Sequence, residues 1–180
     1  MEYILGIIQI FGKKILLNDF DKKINRVDEP LPFYKQYYYY FSESTEIIPS
    51  LYLGSSFNAY SYNEISSKHI NVIFNITTTI NNFHENNPFI TYYNFPILDN
   101  NKDDITNILL ETCELIHKHI NNNDKILIHC FMGASRSASV IIYYLMKHKN
   151  MTYNYAKNYV SSKRPIINLS KIFDNKLKNL

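Results

Sequence analysis

The stretch HCFMGASRS, residues 129–137, brings together the residue types needed to attack a phosphate ester. Cys130 offers a sulfur nucleophile, Gly133 follows three residues later, and Arg136 follows six residues later. A guanidinium can hold two phosphate oxygens through a pair of parallel hydrogen bonds. A turn of inward-pointing backbone N–H groups that leads into a helix N-terminus provides a second anion site. The spacing therefore predicts a loop that cradles one tetrahedral dianion above a sulfur atom.

The same features predict that Cys130 is ionised. The amide-lined loop, the helix dipole, Arg136 and His129 would each stabilise a thiolate, so we expect the pKa of Cys130 to lie well below ~8.5. A thiolate that faces phosphorus can attack in line and form a phosphocysteine intermediate. We expect the hydroxyl of Ser137 to hydrogen-bond the sulfur when it leaves in the second step.

The interior of the predicted loop carries no further charge. The residues between its cysteine and its arginine are Phe131, Met132, Gly133, Ala134 and Ser135. Gly133 is expected where the backbone needs a conformation that a side chain resists. Because the loop has no other cation, its backbone and Arg136 must hold the anion, which suits one phosphate monoester rather than a polyanion.

Regular elements must position this loop. KILIHC predicts a central strand that leads to Cys130, and SASVIIYYLMKHK predicts a helix that begins near Arg136. Further strands are predicted at IIPSLYLG, INVIFNIT and FITYYNFPI, and further helices at YNEISSKH, DDITNILLETCELIHKHI, NYAKNYVSSK and KIFDNKLKNL. This alternation predicts an α/β fold with a central, mostly parallel β-sheet flanked by helices. The Cys-x5-Arg phosphate-binding loop would lie between a central strand and a helix.

The N-terminal quarter of the chain differs from the rest in composition. We interpret residues 1–42 as an N-terminal extension, partly ordered at best, and residues 43–180 as the main domain. Pro30 and Pro32 disfavour a helix in the extension. The run Tyr37–Tyr40 is interpreted as surface or linker sequence.

Bulk properties exclude several classes of function. The 180 residues carry a net charge of +3, too little for a nucleic-acid-binding protein. The apolar segment YILGIIQIF is too short to span a bilayer, so no membrane partner is predicted. Two cysteines make no disulfide framework, which predicts a reducing, cytoplasmic location. The bias toward Asn, Ile, Lys and Tyr points to an A/T-rich source genome, such as that of a protist or a large DNA virus.

The sequence predicts neither a metal nor a cofactor. His117 and His119 are two residues apart on a predicted helix and therefore face different directions. No spacing matches a zinc site, and no glycine-rich nucleotide loop is present. Cys113 lies on the apolar stripe of the same helix and is interpreted as a core residue. Its alternative role is that of a disulfide partner for an oxidised Cys130.

The nonapeptide resembles the His-Cys-x-x-Gly-x-x-Arg-Ser/Thr signature of the protein tyrosine phosphatase superfamily, and GASRSA is most similar to its dual-specificity branch. The segments IIPSLYLGS, INVIFNIT, YNFPILDNNKDDI and RPIINLSKIFDNKL resemble further parts of that family, in the family's order. The resemblance implies a dual-specificity phosphatase catalytic domain over residues 43–180. The chain departs from the family at Leu169, Ser170 and Ile172, where the family has a Pro-Asn pair and then a glycine. We expect Ser170 to fix the loop less well than that asparagine.

The reaction also needs a carboxyl group that protonates the leaving oxygen and later takes a proton from water. The resemblance implies that this group is Asp99. Asp99 also follows a predicted strand, in a loop before a long helix, where an acid could move toward the cradle. Asp103 and Asp104 are its rivals, and we interpret them as a helix cap and a first-turn anion.

The resemblance implies a metal-independent enzyme that removes phosphate from phosphotyrosine and phosphoserine or phosphothreonine in phosphorylated protein substrates. A chain this short has little room for the long loops of a deep phosphotyrosine-only pocket. Three alternatives stay open: a phosphopeptide-binding module with little turnover, a phosphatase for a non-protein phosphate, and a sulfur-transfer or arsenate-reducing enzyme that also uses a loop cysteine.

Overall fold

A computed structural model describes residues 28–97 and 105–180. The strands are β1 (Thr45–Ile48), β2 (Leu51–Gly54), β3 (Val72–Asn75), β4 (Thr91–Asn94) and β5 (Ile126–His129). The helices are α1 (Phe33–Phe41), α2 (Ser56–Tyr60), α3 (Tyr62–Ser67), α4 (Thr106–Asn121), α5 (Arg136–His148), α6 (Tyr153–Lys163) and α7 (Lys171–Lys178). Within these ranges no helix combines the length and the hydrophobicity needed to cross a membrane.

The five strands form one sheet in the order β1-β2-β5-β3-β4. β5 lies at the centre, parallel to both neighbours, and among these five described strands only the β1–β2 pair is antiparallel. The prediction of a mostly parallel central sheet is therefore confirmed. The prediction of one strand at IIPSLYLG is wrong, because this segment folds back at Pro49 and Ser50 into two strands. Proline has no N–H for a ladder, and Ser50 has a φ of 72°, so the chain reverses there.

Helices cover both faces of the sheet, so the central strand is apolar on both sides. Ile126 and Ile128 face the larger core with α4 and α5, whereas Leu127 faces a smaller core with Ile65 of α3. Successive strand residues point to opposite faces, which explains this division. The arrangement buries the strand that leads to Cys130 and fixes where the loop begins.

Helix α1 lies on the N-terminal side of the predicted domain boundary and is packed onto the main domain. The expectation that the tyrosine run is surface or linker sequence is wrong for Tyr40, which is 7% exposed and whose hydroxyl is 3.0 Å from Ser56 Oγ. The expectation that the prolines disfavour a helix fails because Pro32 occupies the N-cap. A backbone N–H at this position makes no hydrogen bond within the helix, so proline loses nothing by lacking one. The Pro32 carbonyl accepts hydrogen bonds from the amides of Lys35 and Gln36.

We expect Tyr40→Ala to lower the free energy of unfolding by about 3 kcal/mol, because it removes a buried aromatic ring and its hydrogen bond. Tyr38→Ala, two residues earlier in the same run, is the matched control. Its side chain is 67% exposed, so we expect a change within about 0.5 kcal/mol. Urea unfolding measures both, and equal losses would contradict the packed position of α1.

Candidate active site

The predicted strand–loop–helix arrangement is present around Cys130. β5 ends at His129, the loop runs from Cys130 to Ser135, and α5 begins at Arg136. We call residues 130–136 the phosphate loop. Cys130 is 2% exposed, and its sulfur lies within hydrogen-bonding distance of groups of the loop and of α5.

The carbonyl groups of the phosphate loop are held by partners outside the loop. Two of them accept backbone hydrogen bonds: Phe131 O from Ser56 N and Ala134 O from Asn168 N, both at 3.0 Å. The two carbonyls between them accept from Arg164, whose Nη2 donates to Met132 O at 3.2 Å and whose Nε donates to Gly133 O at 3.0 Å. Four successive peptide groups are thereby fixed in orientation.

This fixation turns the amides of the loop toward the sulfur. In a trans peptide the C=O and the following N–H point in opposite directions, so a carbonyl directed outward places the next N–H inward. Gly133 N accordingly donates to Cys130 Sγ at 3.3 Å. Gly133 has a φ of 69°, and a Cβ placed there would lie 2.4 Å from Gly54 O. The expectation that this position excludes a side chain is confirmed.

The environment of Cys130 favours the thiolate. Burial by itself raises the pKa of the thiol, but the charge of Arg136 and hydrogen bonds from Ser137 and Ala134 outweigh burial. The net effect is a pKa below the ordinary cysteine value. The Ser137 hydroxyl donates to the sulfur at 3.1 Å, in the position expected from the sequence.

Arg136 is anchored at one end of its guanidinium and open at the other. Its Nη1 donates to the carbonyl of Ile97 at 3.3 Å. Its Nε is buried and has no hydrogen-bond partner among the described residues. A buried donor without a partner is costly, and a phosphate oxygen would satisfy it. The guanidinium is therefore available to hold an anion above Cys130.

The expectation that His129 adds a positive charge beside the sulfur is wrong. Burial lowers the pKa of His129 to about 4, with a further contribution from the charge of Arg136. The ring is therefore neutral near pH 7, and its Nδ1 lies 3.3 Å from Cys130 O. His129 helps to orient the start of the loop rather than to charge it.

The segment around Ser170 contacts the loop through its backbone. Ser170 N donates to Ser135 Oγ at 3.2 Å, and the Asn168 amide bonds Ala134 O as described above. Backbone donors do not depend on the side chain that carries them. The departure from the family at Ser170 therefore leaves these two contacts in place.

The role of Arg164 in holding the phosphate loop was not predicted from the sequence. Its side chain is fully buried, and it also donates through Nη2 to Tyr39 O at 3.2 Å. Burial lowers its pKa to about 10, so it remains a cation near pH 7. An arginine at the end of a polar helix gives no sequence signal of burial. The one available hint was its place in RPII, within the segment that resembles the family.

Three carboxylates of the sequence analysis lie outside the described residues: Asp99, Asp103 and Asp104. The other predicted site residues, from His129 to Ser137, meet at one place. His117 and His119 do not meet: His119 Nδ1 is 2.7 Å from Asp124 Oδ2, whereas the His117 ring stacks on His148. The prediction that they face different directions is confirmed.

The site thus consists of a buried cysteine sulfur, loop amides directed toward it and an arginine guanidinium beside it. This is the arrangement of a cysteine-based phosphatase. The family model for the dual specificity phosphatase catalytic domain matches residues 51–180. The chain belongs to this family.

Named relatives agree with this assignment. Human protein phosphatase Slingshot homolog 1 is 38% identical over 120 residues, which cover 67% of this chain and 11% of that protein. Human dual specificity protein phosphatase 9 is 32% identical over 119 residues, covering 66% of this chain and 31% of that protein. The crystal structure of DUSP15 has a TM-score of 0.71 at 26% identity, over 76% of this chain and 86% of that one. The chain thus spans less than a third of the length of these two curated relatives.

We expect Arg164→Lys to disorder the phosphate loop, because an ammonium cannot donate to two carbonyls from a planar fork. The value of kcat/KM for an aryl phosphate should fall by about 10²-fold. The pKa of Cys130, followed by alkylation with iodoacetamide across pH, should rise toward its ordinary value. Lys163→Met, at the exposed neighbouring position, is the control. Lower stability without a change in the thiol pKa would contradict this role.

Proposed function

We propose that this chain hydrolyses phosphate monoesters through a phosphocysteine intermediate. One observation carries the proposal: the Cys130 sulfur accepts hydrogen bonds from Gly133 N at 3.3 Å and from Ser137 Oγ at 3.1 Å, beside Arg136. A thiolate held in this way is a nucleophile, and the surrounding donors can stabilise charge on a transferring phosphoryl group.

The reaction has two balanced steps. In the first, the Cys130 thiolate attacks phosphorus, an S–P bond forms, and the P–O bond to the leaving group breaks as Asp99 donates its proton to the leaving oxygen. In the second, water attacks phosphorus and gives a proton to Asp99, and the S–P bond breaks to release inorganic phosphate. The Ser137 hydroxyl stabilises the departing thiolate through the hydrogen bond that it already donates.

The assignment of Asp99 rests on the chain that leads to it. The carbonyl of Ile97, two residues earlier, accepts a hydrogen bond from Arg136. We assign the acid to Asp99 because only two residues of chain, which span at most about 7 Å, separate it from Ile97. Asp103 and Asp104 stand four and five residues further along the chain. The interpretation of one of them as the cap of α4 is wrong, because the N-cap of this helix is Ile105.

Phosphorylated proteins are the proposed substrates. The matched relatives are named protein phosphatases, which supports this class. The uncharged side chains of the phosphate loop suit one monoester, and dual specificity for tyrosine and serine or threonine follows from the family. Both cysteines are free, and the reaction requires a reduced sulfur, so we assign the protein to a reducing compartment such as the cytoplasm.

The first test is hydrolysis of an aryl phosphate in the presence of a metal chelator. Wild type should turn over, vanadate should compete with the substrate, and Cys130→Ser should lose turnover while it still binds the substrate. Cys113→Ser is the matched control at the other buried cysteine and should keep its turnover. Binding of a phosphopeptide without turnover by wild type would favour the phosphopeptide-binding module, and activity in Cys130→Ser would refute a phosphocysteine.

We expect Asp99→Ala to lower kcat about 10²-fold or more for alkyl phosphates and far less for aryl phosphates with good leaving groups. In wild type the rate should rise with pH as Cys130 loses its proton and fall as Asp99 loses its own. The maximum should therefore lie at mildly acidic pH. Asp99→Ala should abolish the fall at higher pH, whereas Asp103→Ala should keep it. Equal losses on both substrate classes would assign the acid elsewhere.

A further inference from the structure

A second cluster of reactive side chains joins α4 to α5, away from the phosphate loop. Cys113 and Glu114 lie on α4, and His148 is the last residue of α5. Their ligand atoms all lie within 4.8 Å of one another. Arg136 begins α5 and His148 ends it, so about 18 Å of helix separates this cluster from the phosphate loop.

Two ring nitrogens at the cluster are buried without hydrogen-bond partners among the described residues: His148 Nε2 and His117 Nδ1. Glu114 Oε1 is 3.8 Å from His148 Nε2, beyond hydrogen-bonding distance. Burying a polar atom without a partner costs free energy. A bound cation would supply the missing partner, because an unprotonated imidazole nitrogen is a metal ligand.

We propose that Cys113 Sγ, His148 Nε2 and the Glu114 carboxylate bind one divalent cation of the zinc class, with water in the fourth position. Sulfur and imidazole donors select Zn²⁺ over Mg²⁺ or Ca²⁺, which prefer oxygen ligands. On binding, the Cys113 thiol releases its proton to solvent and a metal–sulfur bond forms. Neither ion nor sulfur changes its oxidation state.

The surroundings fit such a site. The Cys113 side is buried in the core, whereas the Glu114 side chain is 69% exposed, so an ion can enter from the Glu114 side. The His117 ring stacks on His148 at 4.0 Å with an interplanar angle of 10°, and it fixes the orientation of the ligand ring. His117 Nε2 is itself 3.1 Å from Asn121 Nδ2. A bound ion would cross-link α4 and α5 and leave the chemistry of the phosphate loop untouched.

The test uses the full chain with Cys130→Ser, which leaves Cys113 as its only thiol. Titration with Co²⁺ should give one ion per chain and a thiolate-to-cobalt charge-transfer absorption, which Zn²⁺ should displace. Adding His148→Gln should weaken Co²⁺ binding about tenfold or more. Glu111→Gln, an exposed acid one turn before Glu114 on α4, is the matched control and should bind Co²⁺ normally.

The thermal midpoint gives a second readout. Zn²⁺ should raise the midpoint of the Cys130→Ser protein and have little effect once His148→Gln is added. Because Cys130 is absent from every sample, the result is independent of the proposed phosphatase activity. Cys113→Ser should remove the charge-transfer band. Because Cys113 is buried, this substitution can prevent folding, and in that case the affinity of the His148→Gln protein for Co²⁺ tests the site. Absence of stoichiometric Co²⁺ uptake, or equal affinity with and without His148→Gln, would overturn the site.

Discussion

The outward tethering of four loop carbonyls is the interaction on which the site depends. A carbonyl held from outside directs the next N–H toward the inside of the loop. The amides of Gly133 and Ala134 reach the sulfur, and together with Arg136 they offset the cost of burying a charged thiolate. Burial alone would raise the pKa of Cys130 and leave an inert thiol. The same sequence motif without its outward partners would therefore be a buried cysteine rather than a nucleophile.

These tethers explain why a short motif requires a whole domain. Ser56 belongs to α2, Arg164 follows α6, and Asn168 lies before α7, so distant parts of the chain converge on one loop. Arg164 also bonds the carbonyl of Tyr39 in α1. Helix α1, which precedes the region matched by the family model, is thereby joined to the network that holds the loop.

The sequence predicted what depends on local pattern. A short apolar run followed by a glycine predicted the central strand, and the spacing of Cys130, Gly133 and Arg136 predicted the loop. Prediction from the sequence failed where the environment of a residue is set by parts of the chain that are distant in sequence. Tyr40 looks like part of a biased run, Arg164 looks like a surface cation, and His129 looks charged until its burial is known. The stacking of His117 on His148 joins two helices, and the sequence of neither helix alone indicates it.

A crystal structure of the protein with bound vanadate tests the central claim most directly. Vanadium should be bonded to Cys130 Sγ, with equatorial oxygens within hydrogen-bonding distance of the amides of residues 132–135 and of Arg136 Nε. The four loop carbonyls should keep their present partners. Vanadate bound away from the sulfur, or loop amides directed to solvent around it, would contradict the account.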